Sequence, residues 1–220
     1  MMNLLREKNY ALLLVAATLV AGGLIFAAMF IYSVPYIWYD DYLSALGRTR
    51  LSDGTSNLLA AFLFNTALII AGIFSGSYFC MRGVFCGNRF LAVLLWFSGS
   101  VGGLALAGIG ATPYNLAPHT HNMCTFFASL GLGISVFLCS MSRGNRMSGA
   151  AENLQWALMT LYFGLVWTAW AYVRAKKLVP NSPTGEIMQK MMVSLFYLYM
   201  LWNSVLYYRR CRQEKSNDAA

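Results

Sequence analysis

Six apolar stretches, at residues 11–38, 58–81, 90–112, 123–142, 153–173 and 191–208, contain no Asp, Glu, Lys, Arg or His and occupy more than half of the 220 residues. A helix of about 20 apolar residues crosses a hydrocarbon core about 30 Å thick. Each stretch meets or approaches that length. Lipid offers no partner to an unpaired backbone group, and a membrane barrel would read as alternating segments of about ten residues, so the stretches predict helices. The expected fold is all-α and polytopic: six transmembrane helices in one bundle over residues 1–212, followed by a short polar tail at 213–220.

Composition agrees. Hydrophobic residues make up 58% of the chain and charged residues 11%, against about 25% charged in a soluble domain. A net charge of +8 would suggest nucleic acid in a soluble protein. Here the basic residues flank the spans, where they orient helices and meet anionic headgroups, so no nucleic-acid partner is expected. Arg6 and Lys8 precede the first stretch as in a signal peptide, but the apolar run continues to Trp38, well beyond a cleavable core of about 7 to 15 residues. It reads as a retained helix that kinks or stops near Pro35.

With the N-terminus cytoplasmic, the inner segments carry ten basic residues: Arg6, Lys8, Arg82, Arg89, Arg143, Arg146, Arg209, Arg210, Arg212 and Lys215. The outer ones carry six: Arg48, Arg50, Arg174, Lys176, Lys177 and Lys190. The bias places both termini in the cytoplasm. The membrane is then the cytoplasmic one in a prokaryote, or the plasma membrane or an endomembrane in a eukaryote. None of the five cysteines pairs with another across the outer face, so no disulfide framework is expected.

Small residues at four-residue spacing mark close helix packing. Gly99, Gly103, Ala107 and Ala111 form such a stripe in the third span, with Gly72 and Gly76 in the second and Gly131, Ser135 and Cys139 in the fourth. The third helix is therefore placed at the centre of the bundle. A homodimer face is the other use of such stripes. Asn65, Gln155 and Asn203 read as interhelical hydrogen-bonding residues, and Tyr36, Trp38, Tyr39, Tyr42, Tyr207 and Tyr208 as interfacial anchors.

The first and third connections fall on the outer side. They hold Asp40, Asp41, Ser44, Arg48, Arg50 and Asp53, and Pro113 to Asn122 with both histidines, His119 and His121. Carboxylates and imidazoles together are the ingredients of a metal site or an acid–base pair. In an extended segment His119 and His121 would share a face. If Pro118 opens a helix, the rings lie about 200° apart and one alone points inward; His119 is the expected one. With no ionisable group at membrane depth, ion-coupled transport is disfavoured.

The order of motifs resembles the FRAG/DRAM/SFK group of six-helix membrane proteins and its prokaryotic relatives. The likeness rests on Val34-Pro35-Tyr36-Ile37, the loop with Asp40, Asp41, Ser44 and Gly47, then Gly87-Asn88-Arg89, Gly108-x-Gly110-Ala111-Thr112-Pro113, and His119 ahead of Phe126 and Phe127. It covers residues 10 to 140 and departs from the pattern at Asn115, where an acidic residue is expected. The resemblance implies six helices, cytoplasmic termini and a role tied to membrane lipids.

The leading expectation is a non-enzymatic protein that binds or organises lipid at its outer face. Arg48, Arg50, Arg174, Lys176 and Lys177 would contact lipid phosphates, while Asp40, Asp41, Asn115 and His119 would join the two loops by hydrogen bonds. No cofactor is expected. The alternative is a lipid hydrolase or remodelling enzyme, in which Asp40 or Asp41 with His119 and His121 would hold a metal ion that activates water. A neutral-lipid or small-molecule carrier is the third reading.

Overall fold

The computed structural model describes residues 4–84, 86, 88–141 and 184–217, with scattered helical positions between 154 and 168. Among the described residues the long helices are α1 (Leu4–Phe30), α2 (Leu58–Val84), α3 (Arg89–Ala111), α4 (Pro118–Met141) and α5 (Thr184–Asn217). A short 3-10 helix, Leu43–Gly47, lies in the connection between α1 and α2. Beside it, Arg50 and Ser56 form an isolated antiparallel bridge around Gly54. Four helical segments, Asn9–Phe30, Leu58–Val84, Arg89–Ala111 and Pro118–Cys139, are long and apolar enough to cross a bilayer. They make this a membrane-embedded chain.

The distribution of side chains fits a lipid solvent. Large apolar residues face outward, including Phe30, Phe62, Phe90, Trp96, Phe97 and Leu104, whereas Ala11, Ala21, Ala60, Ala67 and Ser135 lie inside. Lipid tails are as apolar as leucine, so nothing drives the large side chains inward, and close backbone approach decides the packing. α3 shows this on two faces. A Cβ on Gly103 would lie 2.6 Å from the Gly72 carbonyl oxygen and from Gly76 Cα on α2. A Cβ on Gly102 would lie 2.5 Å from the Leu132 amide nitrogen on α4. The stripes read in the sequence are thus occupied within the chain, and α3 sits between α2 and α4.

Polar side chains lock these contacts. Ser98 and Ser135 share a buried 2.8 Å hydrogen bond between α3 and α4, and the Tyr10 hydroxyl donates to Ser77 Oγ at 3.0 Å between α1 and α2. Asn88 caps α3 by accepting from the Phe90 and Leu91 amides. Asn65 and Asn203 donate to the carbonyls of Gly47 and Tyr199, so Asn203 bonds within its own helix.

Two helices depart from the sequence reading. α1 begins at Leu4, taking Arg6 and Lys8 into the helix, and ends at Phe30. Residues 31–38 therefore belong to the connection although they are charge-free. The cause lies beyond Pro35 itself: Ser33 donates its hydroxyl to the Ser56 carbonyl at 2.6 Å, drawing the chain across the helix end. α5 extends from Thr184 to Asn217, so residues 213–217, read as a polar tail, continue the helix. The fifth stretch, 153–173, and Gln155 within it lie largely outside the described residues, though Met159 and Tyr162 pack with Phe196 of α5 and Leu132 of α4 in one core cluster. A second cluster at the other end buries Leu43 and Leu46 of the 3-10 helix against Ala60 and Phe64 of α2 and Ile25 of α1.

Gly103→Ala is expected to lower unfolding free energy in detergent by about 1 to 3 kcal/mol, because its Cβ meets backbone that cannot yield. Gly23, where an added Cβ meets nothing within 4 Å, supplies the control: Gly23→Ala should be neutral or stabilising by up to about 1 kcal/mol. Equal behaviour of the two variants in a denaturant titration would show that α2 and α3 do not touch.

Candidate functional site at the loop-bearing end

The polar residues converge at the end of the bundle where the α1–α2 and α3–α4 connections meet. Backbone groups in a connection that folds back over a helix bundle lose water and need internal partners. Asn57, only 1% exposed at the start of α2, supplies several. Its Nδ2 donates to the Leu46 carbonyl at 3.2 Å and the Arg48 carbonyl at 2.8 Å. Its Oδ1 accepts from the Ser33 amide at 3.4 Å. One side chain therefore ties the 3-10 helix to the residues that follow α1.

The two connections are joined by a reciprocal pair. The Thr49 amide donates to Asn115 Oδ1 at 3.0 Å, and Asn115 Nδ2 donates to Thr49 Oγ1 at 2.9 Å. Beside it the Arg48 guanidinium lies 5.1 Å from the Tyr114 ring centroid, and Tyr114 meets the His121 ring edge-to-face at 5.5 Å. Arg48 Nε is buried without a hydrogen-bond partner. Arg48 and Arg50 separate here: Arg50 is exposed, whereas Arg48 is half-buried.

The histidines reverse the expectation drawn from the sequence. α4 does begin at Pro118 and the rings do diverge, but His121 is the inward one, 6% exposed, while His119 is exposed. His121 Nδ1 lies 2.8 Å from the Thr112 carbonyl, the open C-terminal turn of α3, and that unpaired acceptor selects the inward ring. Among the described hydrogen bonds, Asn115 joins the two loops as expected, whereas Asp40, Asp41 and His119 take no part in that junction. The Asp41 carboxylate instead accepts from the Ile37 amide at 2.8 Å, closing its own turn, and Asp40 is exposed. Among the described residues no three His, Cys, Asp or Glu side chains converge as metal ligands would. Arg174, Lys176 and Lys177 lie outside the described residues.

Lys190, counted in the sequence only as an outer flanking charge, is 3% exposed. Its Nζ donates to the Asp41 carbonyl and, at 3.4 Å, to that of Glu186. Tyr36 and Trp38 present ring faces to the same ammonium at 5.5 and 5.4 Å. Burial lowers the Lys190 pKa, and the charges of Asp41, Glu186 and Asp40 oppose that shift. Burial beside Asp41 also raises the Tyr36 hydroxyl pKa. Glu186 is 9% exposed and its Oε2 has no partner. A signal for this cluster was present in the sequence as Glu186 and Lys190, four apart at the head of an aromatic span.

Two cavities adjoin these residues. A groove of about 370 Å³ runs between α1 and α5, lined by Gly22, Ile25, Phe26, Met29 and Leu198, with Trp38 and Lys190 at its loop end. A smaller cavity of about 100 Å³ lies between α2, α3, α4 and α5, and His121, Thr125, Ser129 and Gln189 supply its polar wall. Leu43, Val193 and Tyr197 line both. Asn65 and Asn203, the sequence candidates for a carrier path, line neither. Comparison with protein-family profiles, characterised proteins and solved structures finds no match to this chain.

Asn57→Leu strands the Leu46 and Arg48 carbonyls and should cost at least about 2 kcal/mol in an unfolding titration, whereas Asn115→Ala, at an exposed pair, should cost less than about 1 kcal/mol. The Thr55 amide, 2.9 Å from Asp53 Oδ1, holds that exposed carboxyl below its ordinary 3.8. A depressed carboxyl pKa stabilises above the unfolded value and loses that contribution as pH falls through the folded one. The Thr55 amide resonance should therefore titrate below pH 3.8, and Asp53→Asn should abolish that titration.

Proposed function

We propose that this chain is a non-enzymatic, multi-pass membrane protein that binds phospholipid at its loop-bearing end. In this reading six helices span the bilayer, both termini are cytoplasmic and the loop end faces outward, in keeping with the excess of Arg and Lys on the opposite side. The observation that carries the reading is the groove between α1 and α5. Its volume of about 370 Å³ falls within the range of about 300 to 1,000 Å³ typical of ligand pockets. Its walls are apolar where acyl chains lie, and its loop end carries a buried ammonium where headgroups lie.

The charges around that ammonium select the headgroup. Lys190 is flanked electrostatically by Asp41, Glu186 and Asp40, so the rim is not a simple anion site. A zwitterionic headgroup matches it, with phosphate toward Lys190 and amine toward the unpartnered Glu186 oxygen. Arg48 and Arg50, with Arg174, Lys176 and Lys177 in the same assigned role, add phosphate contacts around this end. Such contacts are screened by salt, so the chain in the groove supplies most of the affinity.

Gly22 makes the test clean, since a Cβ there meets nothing within 4 Å yet the residue lines the groove. Gly22→Phe should fill the groove without disturbing α2 or α3 and reduce co-purified phosphatidylethanolamine, measured by mass spectrometry, at least fivefold, an energy of about 1 kcal/mol. Phospholipid content equal to the wild type would overturn the proposal.

A further inference from the structure

The smaller cavity differs in chemistry from the groove: among the described residues no Asp, Glu, Lys or Arg lines it, yet it is not inert. A carbonyl oxygen can only accept, so the His121 Nδ1 facing Thr112 carries a proton, and in the singly protonated tautomer Nε2 is the acceptor of the ring. Gln189 accepts from the Leu43 amide through Oε1 at 2.8 Å, which leaves its amide nitrogen as a donor. The Tyr197 hydroxyl is buried with no partner at all. A buried orphan hydroxyl costs about 1 to 3 kcal/mol unless something meets it. All three residues line the same cavity.

We propose that this cavity is a second binding site, which takes the hydroxyl-bearing end of a neutral long-chain alcohol. A hydroxyl donates to one acceptor and receives from donors, which is what His121 Nε2, Tyr197 and Gln189 together offer. A carboxylate or a phosphate is disfavoured: among the described residues no Lys or Arg lines the cavity, and burying an unpaired charge there is costly. About 100 Å³ is too small for a complete lipid and large enough for a head and the first carbons. The remainder of the chain has a path, because Leu43, Val193 and Tyr197 form the wall shared with the groove. Entry is then lateral, from the bilayer, past the Tyr197 ring.

The probe is a diazirine-bearing hexadecanol added to the full-length protein in phosphatidylcholine vesicles, with the crosslinked peptides identified by mass spectrometry. Label is expected on α4 and α5 residues that line the cavity, competed by hexadecanol and not by hexadecane or hexadecanoate. Tyr197→Phe, which removes a hydroxyl that bonds to nothing in the empty protein, should keep or raise thermal stability while weakening competition by hexadecanol about tenfold. His121→Leu should weaken it at least as much. Phospholipid held at the groove should be unaffected by His121→Leu, because His121 lines the smaller cavity and not the groove, so failure of one site is distinguishable from failure of the other. Equal competition by hexadecane, label spread over the lipid-facing surface, or an unchanged Tyr197→Phe response would mean that the cavity holds only water, and would overturn the proposal.

Discussion

Contact between backbones at Gly103 and Gly72, and at Gly102 and Leu132, is the constraint on which the remaining geometry depends. In lipid there is no gain from hiding leucine or phenylalanine, so helices hold together by dispersion between surfaces that fit and by hydrogen bonds that lipid cannot replace. Once α2, α3 and α4 approach through glycine, many of their large side chains, Phe62, Phe90, Trp96, Phe97 and Leu104 among them, are left facing outward. α5 meets the bundle differently. It brings Phe196, Tyr197 and Tyr199 to the interior, and rings of that size hold helices apart, leaving the cavity and the groove beside them.

The loop end obeys the complementary rule. Its backbone lies against the bundle, where carbonyls must find donors, and side chains at the heads of three helices supply them: Asn57 for Leu46 and Arg48, Lys190 for Asp41, His121 for Thr112. These bonds fix the connection as a plug, with Leu43 and Leu46 buried beneath it. They also make the end rigid and chemically mixed, with an aromatic-faced ammonium, an unpartnered carboxylate oxygen and a half-buried guanidinium. A zwitterionic ligand suits such a surface better than a purely anionic one, because the carboxylates of Asp41, Glu186 and Asp40 already offset part of the lysine field.

The parts of the fold legible in the sequence are those set by composition over a full helix. Residues 58–81, 90–112 and 123–142 match α2, α3 and the body of α4, and the stripe at Gly99 and Gly103 is the contact surface it was read to be. Helix ends were less legible. A charge-free run says that a segment tolerates lipid, not that it stays helical, so the apolar pattern extends the first span over 31–38 although Ser33 is bound to Ser56. The reverse error occurred at α5, whose ends carry charges and remain helical because a helix need not stop where the bilayer does.

The site divides in the same way. The sequence by itself determined that ionisable groups lie outside the apolar stretches, that the first and third connections share one end, and that one of the two histidines alone could face inward if Pro118 opens a helix. These follow from chain connectivity and helix periodicity, both local properties. Which histidine turns in, that Asp41 binds its own turn rather than a histidine, and that Lys190 is buried beneath Tyr36 and Trp38 were decided by tertiary structure. Each depends on where a partner group stands once the chain is folded, the Thr112 carbonyl for His121, the Ile37 amide for Asp41 and the rings of Tyr36 and Trp38 for Lys190, and no helix periodicity encodes those positions.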